Sequence, residues 1–130
     1  MLLLAANRIS LANHGLSDQV DHYNHALVAL SKEAVQGRAL IAGDITTTSK
    51  MDAEYDELLS AYEEQITALV DAGVDLLIAE TMIGADETMA VIDAAHAVCD
   101  LPILCSLTMQ ADGSLFFGGN IFETAPMLEE

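Results

Sequence analysis

The chain has 130 residues, a length for one domain, and 52% of them are hydrophobic, enough to bury a core and too many for a disordered segment. Against 21 acidic residues it carries only 4 basic ones, a formal net charge of −17. Binding to nucleic acid or to an anionic membrane surface requires clustered Lys and Arg, so this balance argues against both and for a soluble protein whose copies repel one another.

Residues 1–6 are apolar but short, with no basic stretch before them and Asn7-Arg8 directly after. That is too short for a signal-peptide core or a bilayer span, so a cytoplasmic protein is expected. Ser17 is a suitable N-cap for a first helix running to about Gln36. Val20, Tyr23, Leu27, Leu30 and Ala34 recur there at spacings of three or four, one apolar stripe. Gly37 then serves as a C′ glycine. Residues 38–44 read as a strand, and their continuous apolar run predicts cover on both faces.

Asp52 is the expected cap of a second helix, in which Tyr55, Leu58, Leu59, Tyr62, Ile66, Leu69 and Val70 trace one face. Glu57, Glu63, Glu64 and Asp71 lie off that face and read as its solvated side. Residues 72–75 form a tight turn into a second buried strand over 76–79, which ends in Glu80-Thr81. A third helix over 86–98 turns Val91, Ile92, Ala95 and Val98 inward. Pro102 fits the first residue of a third strand over 103–108. Asp112-Gly113 and Gly118-Gly119 mark turns, and residues 123–130 begin another helix.

Helices between buried strands imply a parallel α/β sheet. Two architectures share this pattern, the doubly wound sheet and the (β/α)8 barrel. A complete barrel needs about 250 residues, so residues 1–130 hold at most half of one, as a single partial domain. In either architecture ligands meet the carboxyl ends of the strands. Those ends are Gly43-Asp44, Glu80-Thr81 and the stretch from Ser106 to Thr108.

Glu80 abuts a buried run directly, where a carboxylate needs a partner to offset desolvation. Asp44 fits a functional acid or an ordinary turn residue, and the two acids together form a candidate acid/base pair. Thr46, Thr47, Thr48 and Ser49 could hold an anion, but the stretch lacks the spacing of a phosphate loop, which favours plain capping. His22 and His25 are three apart, as for two metal ligands, yet Asp18 and Asp21 each stand four residues before one of them, as in surface charge pairs. His14 and His96 read as structural, and Met82, Met89 and Met109 as core filler. Cys99 and Cys105 have the spacing of neither a disulfide framework nor a metal site and read as free thiols.

Several segments resemble one known family. Residues 6–34 are similar to the segment after the second barrel strand of homocysteine S-methyltransferases, and Ala-Gly-Asp-Ile at 42–45 resembles the end of their third strand. The strongest match is Gly-Val-Asp-Leu-Leu-Ile-Ala-Glu-Thr-Met at 73–82, followed by Pro-Ile-Leu-Cys-Ser-Leu-Thr at 102–108, then Asp112-Gly113 and Gly118. The resemblance implies a partial (β/α)8 TIM barrel and methyl transfer to the homocysteine thiolate, giving methionine. The donors across the family are S-methylmethionine, betaine or methyl-cobalamin.

It also implies that Glu80 binds the homocysteine amino group, and the strand-end residues Asp44, Thr81 and Ser106 are then the expected neighbouring substrate contacts. The family's zinc is held by three cysteines; neither Cys99 nor Cys105 corresponds to them, so no metal ligand and no cofactor is assigned within this chain. Residues 45–48 read Ile-Thr-Thr-Thr where relatives carry a Gly-Pro-Thr type turn. The expectation is a piece of a methyltransferase barrel, inactive alone, that self-associates or meets a barrel-completing partner. The alternative is a small acidic α/β binding module that has lost catalysis.

Overall fold

The computed structural model describes residues 6–128. Three strands, β1 (Ala42–Thr46), β2 (Leu76–Met82) and β3 (Ile103–Leu107), form one parallel sheet in the order β1-β2-β3. The helices are α1 (Arg8–Ala12), α2 (Val20–Val35), α3 (Tyr55–Ala72), α4 (Ala85–Val98) and α5 (Ile121–Met127). The core lies on one side of the sheet: Ile45, Leu77, Ala79 and Met82 pack with Tyr62, Ile66 and Leu69 of α3 and Val91 of α4. The other side is open, with Leu104 59% exposed.

The three strands show no reversal of order, as a (β/α)8 barrel requires and as one half of a doubly wound sheet also allows. A doubly wound sheet reverses its strand order and places helices on both faces. Here each strand lies beside its predecessor and the packed helices share one face, as in a (β/α)8 barrel. The open face corresponds to the barrel interior.

The third helix and third strand stand within a residue of their expected limits, and the other elements shift. α2 begins at Val20 with Gln19 rather than Ser17 as N-cap. Its buried line is Val20, Asn24 and Val28, so Leu30, 63% exposed, and Ala34 fall outside the expected stripe. The reason is polar: Asn24 Nδ2 donates to the carbonyls of Ala6 and Val20, at 3.0 and 2.7 Å, and these bonds rotate its face inward. Glu54 rather than Asp52 caps α3. β1 begins four residues later than expected and runs past Asp44 to Thr46, leaving Arg38, Ala39 and Leu40 exposed. Its burial alternates because only one face is covered. The five-residue α1, capped by the Asn7 side chain, was not expected, and α5 starts at Ile121 behind Asn120. Residues 1–5 of the apolar opening, and Glu129-Glu130, lie outside the described residues.

Gly73 makes the expected turn into β2 with φ +83°, a conformation costly for residues bearing a Cβ. A Cβ there would stand 2.6 Å from Lys32 Nζ, which donates to the Ala72 carbonyl. Gly73→Ala is therefore expected to lose about 1 kcal/mol of stability in urea unfolding.

Candidate functional site at the carboxyl end of the sheet

Parallel register sets Asp44 beside Ile78 and Thr46 beside Glu80. Side chains alternate along a strand. Gly43, Ile45, Leu77 and Ala79 are buried toward the helices, so Asp44 and Glu80 belong to the open face. Asp44 lies within β1 rather than at its end, a correction to the expected strand terminus. Leu104 pairs with Ile78, which carries the open face onto β3.

Between β2 and β3 the register slips: Ala79 pairs with Cys105, but the next pair is Met82 with Leu107. Glu80 and Thr81 thus stand together opposite Ser106, a β-bulge of one extra residue. Thr81 has φ +59° and is exposed, and Met82 turns back into the core. The Thr81 N–H donates to Ser106 Oγ at 2.9 Å, and Thr46 Oγ1 donates to the Glu80 carbonyl at 2.9 Å. The structure therefore brings all four expected residues near one another, Thr81 and Ser106 through a hydrogen bond and Asp44 and Glu80 through the parallel register, despite their like charges.

Both carboxylate oxygens of Asp44 are out of reach of solvent and have no hydrogen-bond partner among the described residues, although the residue is only partly buried. Burial, and then the charge of Glu80, hold its pKa above the ordinary carboxylate range. The native state therefore binds this proton more tightly than the unfolded chain. Its contribution to stability is full below the ordinary carboxylate pKa and declines as pH rises from there through the raised native value. Asp44→Asn is expected to be more stable than wild type at pH 7 and to lose that decline, as urea unfolding from about pH 4 upward would show.

A second cluster was not expected from the sequence. Glu87, in the first turn of α4, accepts from Thr47 Oγ1 (2.6 Å), Thr48 N (2.7 Å), Thr48 Oγ1 (2.7 Å) and Tyr62 OH (2.8 Å). The Tyr62 hydroxyl lies 3.1 Å from the Thr46 carbonyl, and burial followed by the charge of Glu87 raises its pKa far above that of free tyrosine, so it stays a donor. The threonine hydroxyls after β1 are thus committed to a carboxylate of the chain itself, neither free for an anion nor simply capping α3. An acid in a first helical turn is too ordinary to have signalled this.

Among the described residues no group of three or more His, Cys, Asp or Glu side chains is placed to hold a metal ion. Cys99 and Cys105 are partly buried against the helix-side core, and burial raises the Cys105 thiol pKa, the opposite of what a metal thiolate needs. The pair does not fit the cysteine-bound zinc of the resemblance. His25 pairs with Asp21 at 3.2 Å as expected. His14 and His96 are exposed rather than structural, and Met109 is 53% exposed rather than core filler. Among the described residues no helix is long and apolar enough to cross a membrane.

Sequential parallel strands with the packed helices on one face fit part of a (β/α)8 barrel, with Asp44 and Glu80 on its open face. The homocysteine S-methyltransferase family profile matches residues 5–130, and the chain belongs to that family. Among solved structures it is similar to the homocysteine methyltransferase MmuM from Escherichia coli. For the oxidized form the TM-score is 0.82 at 21% identity, covering 95% of this chain and 50% of that one. For the apo form it is 0.69 at 20% identity, covering 84% and 47%. The likeness establishes the fold, and the chain spans about half the length of these structures. A comparison with curated proteins gave no match.

Proposed function

We propose that these residues are the homocysteine-holding part of a homocysteine S-methyltransferase barrel, in which Glu80 receives the substrate ammonium and Asp44, Thr81 and Ser106 flank it. One observation carries this reading. Glu80 stands partly buried on the interior face at the carboxyl end of β2, where barrel enzymes hold their ligands, with no side-chain partner among the described residues. A carboxylate so placed attracts a cationic group. The reaction is attack of the homocysteine thiolate sulfur on the methyl group of a donor, which forms the S–CH3 bond of methionine as the donor–CH3 bond breaks and the demethylated donor leaves with that electron pair. The residues described here bind and orient the amino acid; they supply no metal ligands for its sulfur.

The open interior face and the exposed apolar side chains Leu104, Met109 and Phe122 further support a requirement for more βα units, whether on the same polypeptide or on a partner. Free cysteines agree with a cytoplasmic setting. The test is methionine formation by the 130-residue chain alone and by a chimera that continues it with the second half of the MmuM barrel. The lone chain is expected to be inactive and the chimera active. Turnover by the lone chain would overturn the need for completion. A well-folded chimera that neither binds homocysteine nor turns over would leave the acidic binding module as the better reading.

A further inference from the structure

The Glu80–Thr81 peptide has left the β2–β3 ladder at the bulge, and both of its polar groups are held by side-chain hydroxyls from the two flanking strands. Thr46 Oγ1 of β1 donates to its carbonyl, and Ser106 Oγ of β3 accepts from its N–H, each at 2.9 Å. A peptide group that loses a ladder partner takes a substitute, and here two side chains provide it, on the partly buried carbonyl and on the exposed N–H. The bulge is held against strain: Thr81 is β-branched and sits at φ +59°, a region that glycine tolerates and threonine does not. The slip also restores the core, because the extra residue lets Met82 face the helices again and its carbonyl accept from Thr108 N at 2.7 Å. Glu80 keeps the open-face position that strand alternation gives it, and the bulge bends the chain directly after it, so the Glu80–Thr81 peptide sets the course of the backbone that carries this carboxylate.

We infer that Thr46 and Ser106 are positioning residues, a hydroxyl clamp on the Glu80–Thr81 peptide that fixes the direction of the Glu80 carboxylate. Ser106 thereby acts through Glu80. The inference deepens the proposed function and rests, for its consequence on binding, on Glu80 being the ammonium site.

The test compares the 130-residue chain with its Ser106→Ala, Thr46→Val and Thr81→Gly variants. Three quantities are read: amide exchange at residue 81, affinity for L-homocysteine by NMR titration, and the thermal midpoint. The two hydroxyl deletions are expected to speed exchange at Thr81 by about 10-fold and to weaken homocysteine by roughly 3- to 10-fold. Thr46→Ser, which keeps the hydroxyl, should restore both. Thr81→Gly is expected to raise the midpoint by about 2–5 °C while weakening binding. Stability and affinity then move in opposite directions, which a purely structural role does not produce. Unchanged exchange in Ser106→Ala, or a lower midpoint in Thr81→Gly, would overturn the clamp. If wild type binds no homocysteine, the ammonium reading of Glu80 falls, and the exchange and midpoint results still decide the clamp.

Discussion

Replacing Glu87 by alanine is expected to lower the unfolding free energy by about 3 kcal/mol. The single carboxylate accepts four donors, three of them on Oε1: the Thr48 N–H, the Thr48 hydroxyl and the Tyr62 hydroxyl. Removing it strands those donors where Thr48 and Tyr62 are buried. The full penalty of each, about 1–3 kcal/mol, does not simply add, because hydroxyls rotate and Thr47 reaches water. The Thr48 N–H cannot rotate away. Glu87→Gln places its amide oxygen at the three-donor position and its NH2 toward Thr47, whose hydroxyl can accept. That variant should lose only about 1 kcal/mol. Urea unfolding at pH 7 measures both; an alanine variant within about 0.5 kcal/mol of wild type would show that the cluster holds nothing together.

That cluster also marks where the sequence stopped being legible. The βα order, the Gly73 turn, the limits of the third helix and third strand, and the gathering of Asp44, Glu80, Thr81 and Ser106 followed from apolar periodicity and from the rule that sites lie at strand ends. Periodicity reports which side chains are apolar. It is silent on the hydrogen bonds that turn Asn24 inward and leave Leu30 outside. It also read residues 38–44 as a strand covered on both faces, because a continuous apolar run cannot show that one face awaits the rest of the barrel. Glu87 and its donors are 25 to 40 residues apart, and only the parallel stacking of units brings them together. The bulge at Thr81 was hidden for a related reason. Nothing in Ala-Glu-Thr-Met marks an extra residue, and the slip exists only relative to β3.

The second large effect falls on ligand affinity. Glu80→Gln is expected to weaken homocysteine by about 10-fold or more, since an ion pair with the ammonium becomes a hydrogen bond from a cation to a neutral amide oxygen. Folding should be little changed or slightly improved: the substitution also removes the charge that helps raise the Asp44 pKa, so the carboxylate of Asp44 becomes easier to form. An affinity loss without a stability loss separates a ligand contact from a structural acid, and it contrasts with Glu87, whose loss is felt in folding.

The proposed function places homocysteine at the carboxyl end of this sheet, on Glu80. Its most direct test is an NMR titration of the 15N-labelled chain with L-homocysteine, beside the same titration of Glu80→Gln. Saturable shifts centred on the amides of Glu80, Thr81 and Ser106 are expected in wild type, with their loss or marked weakening in the variant. No saturable response in wild type, or an equal response in Glu80→Gln, would contradict it.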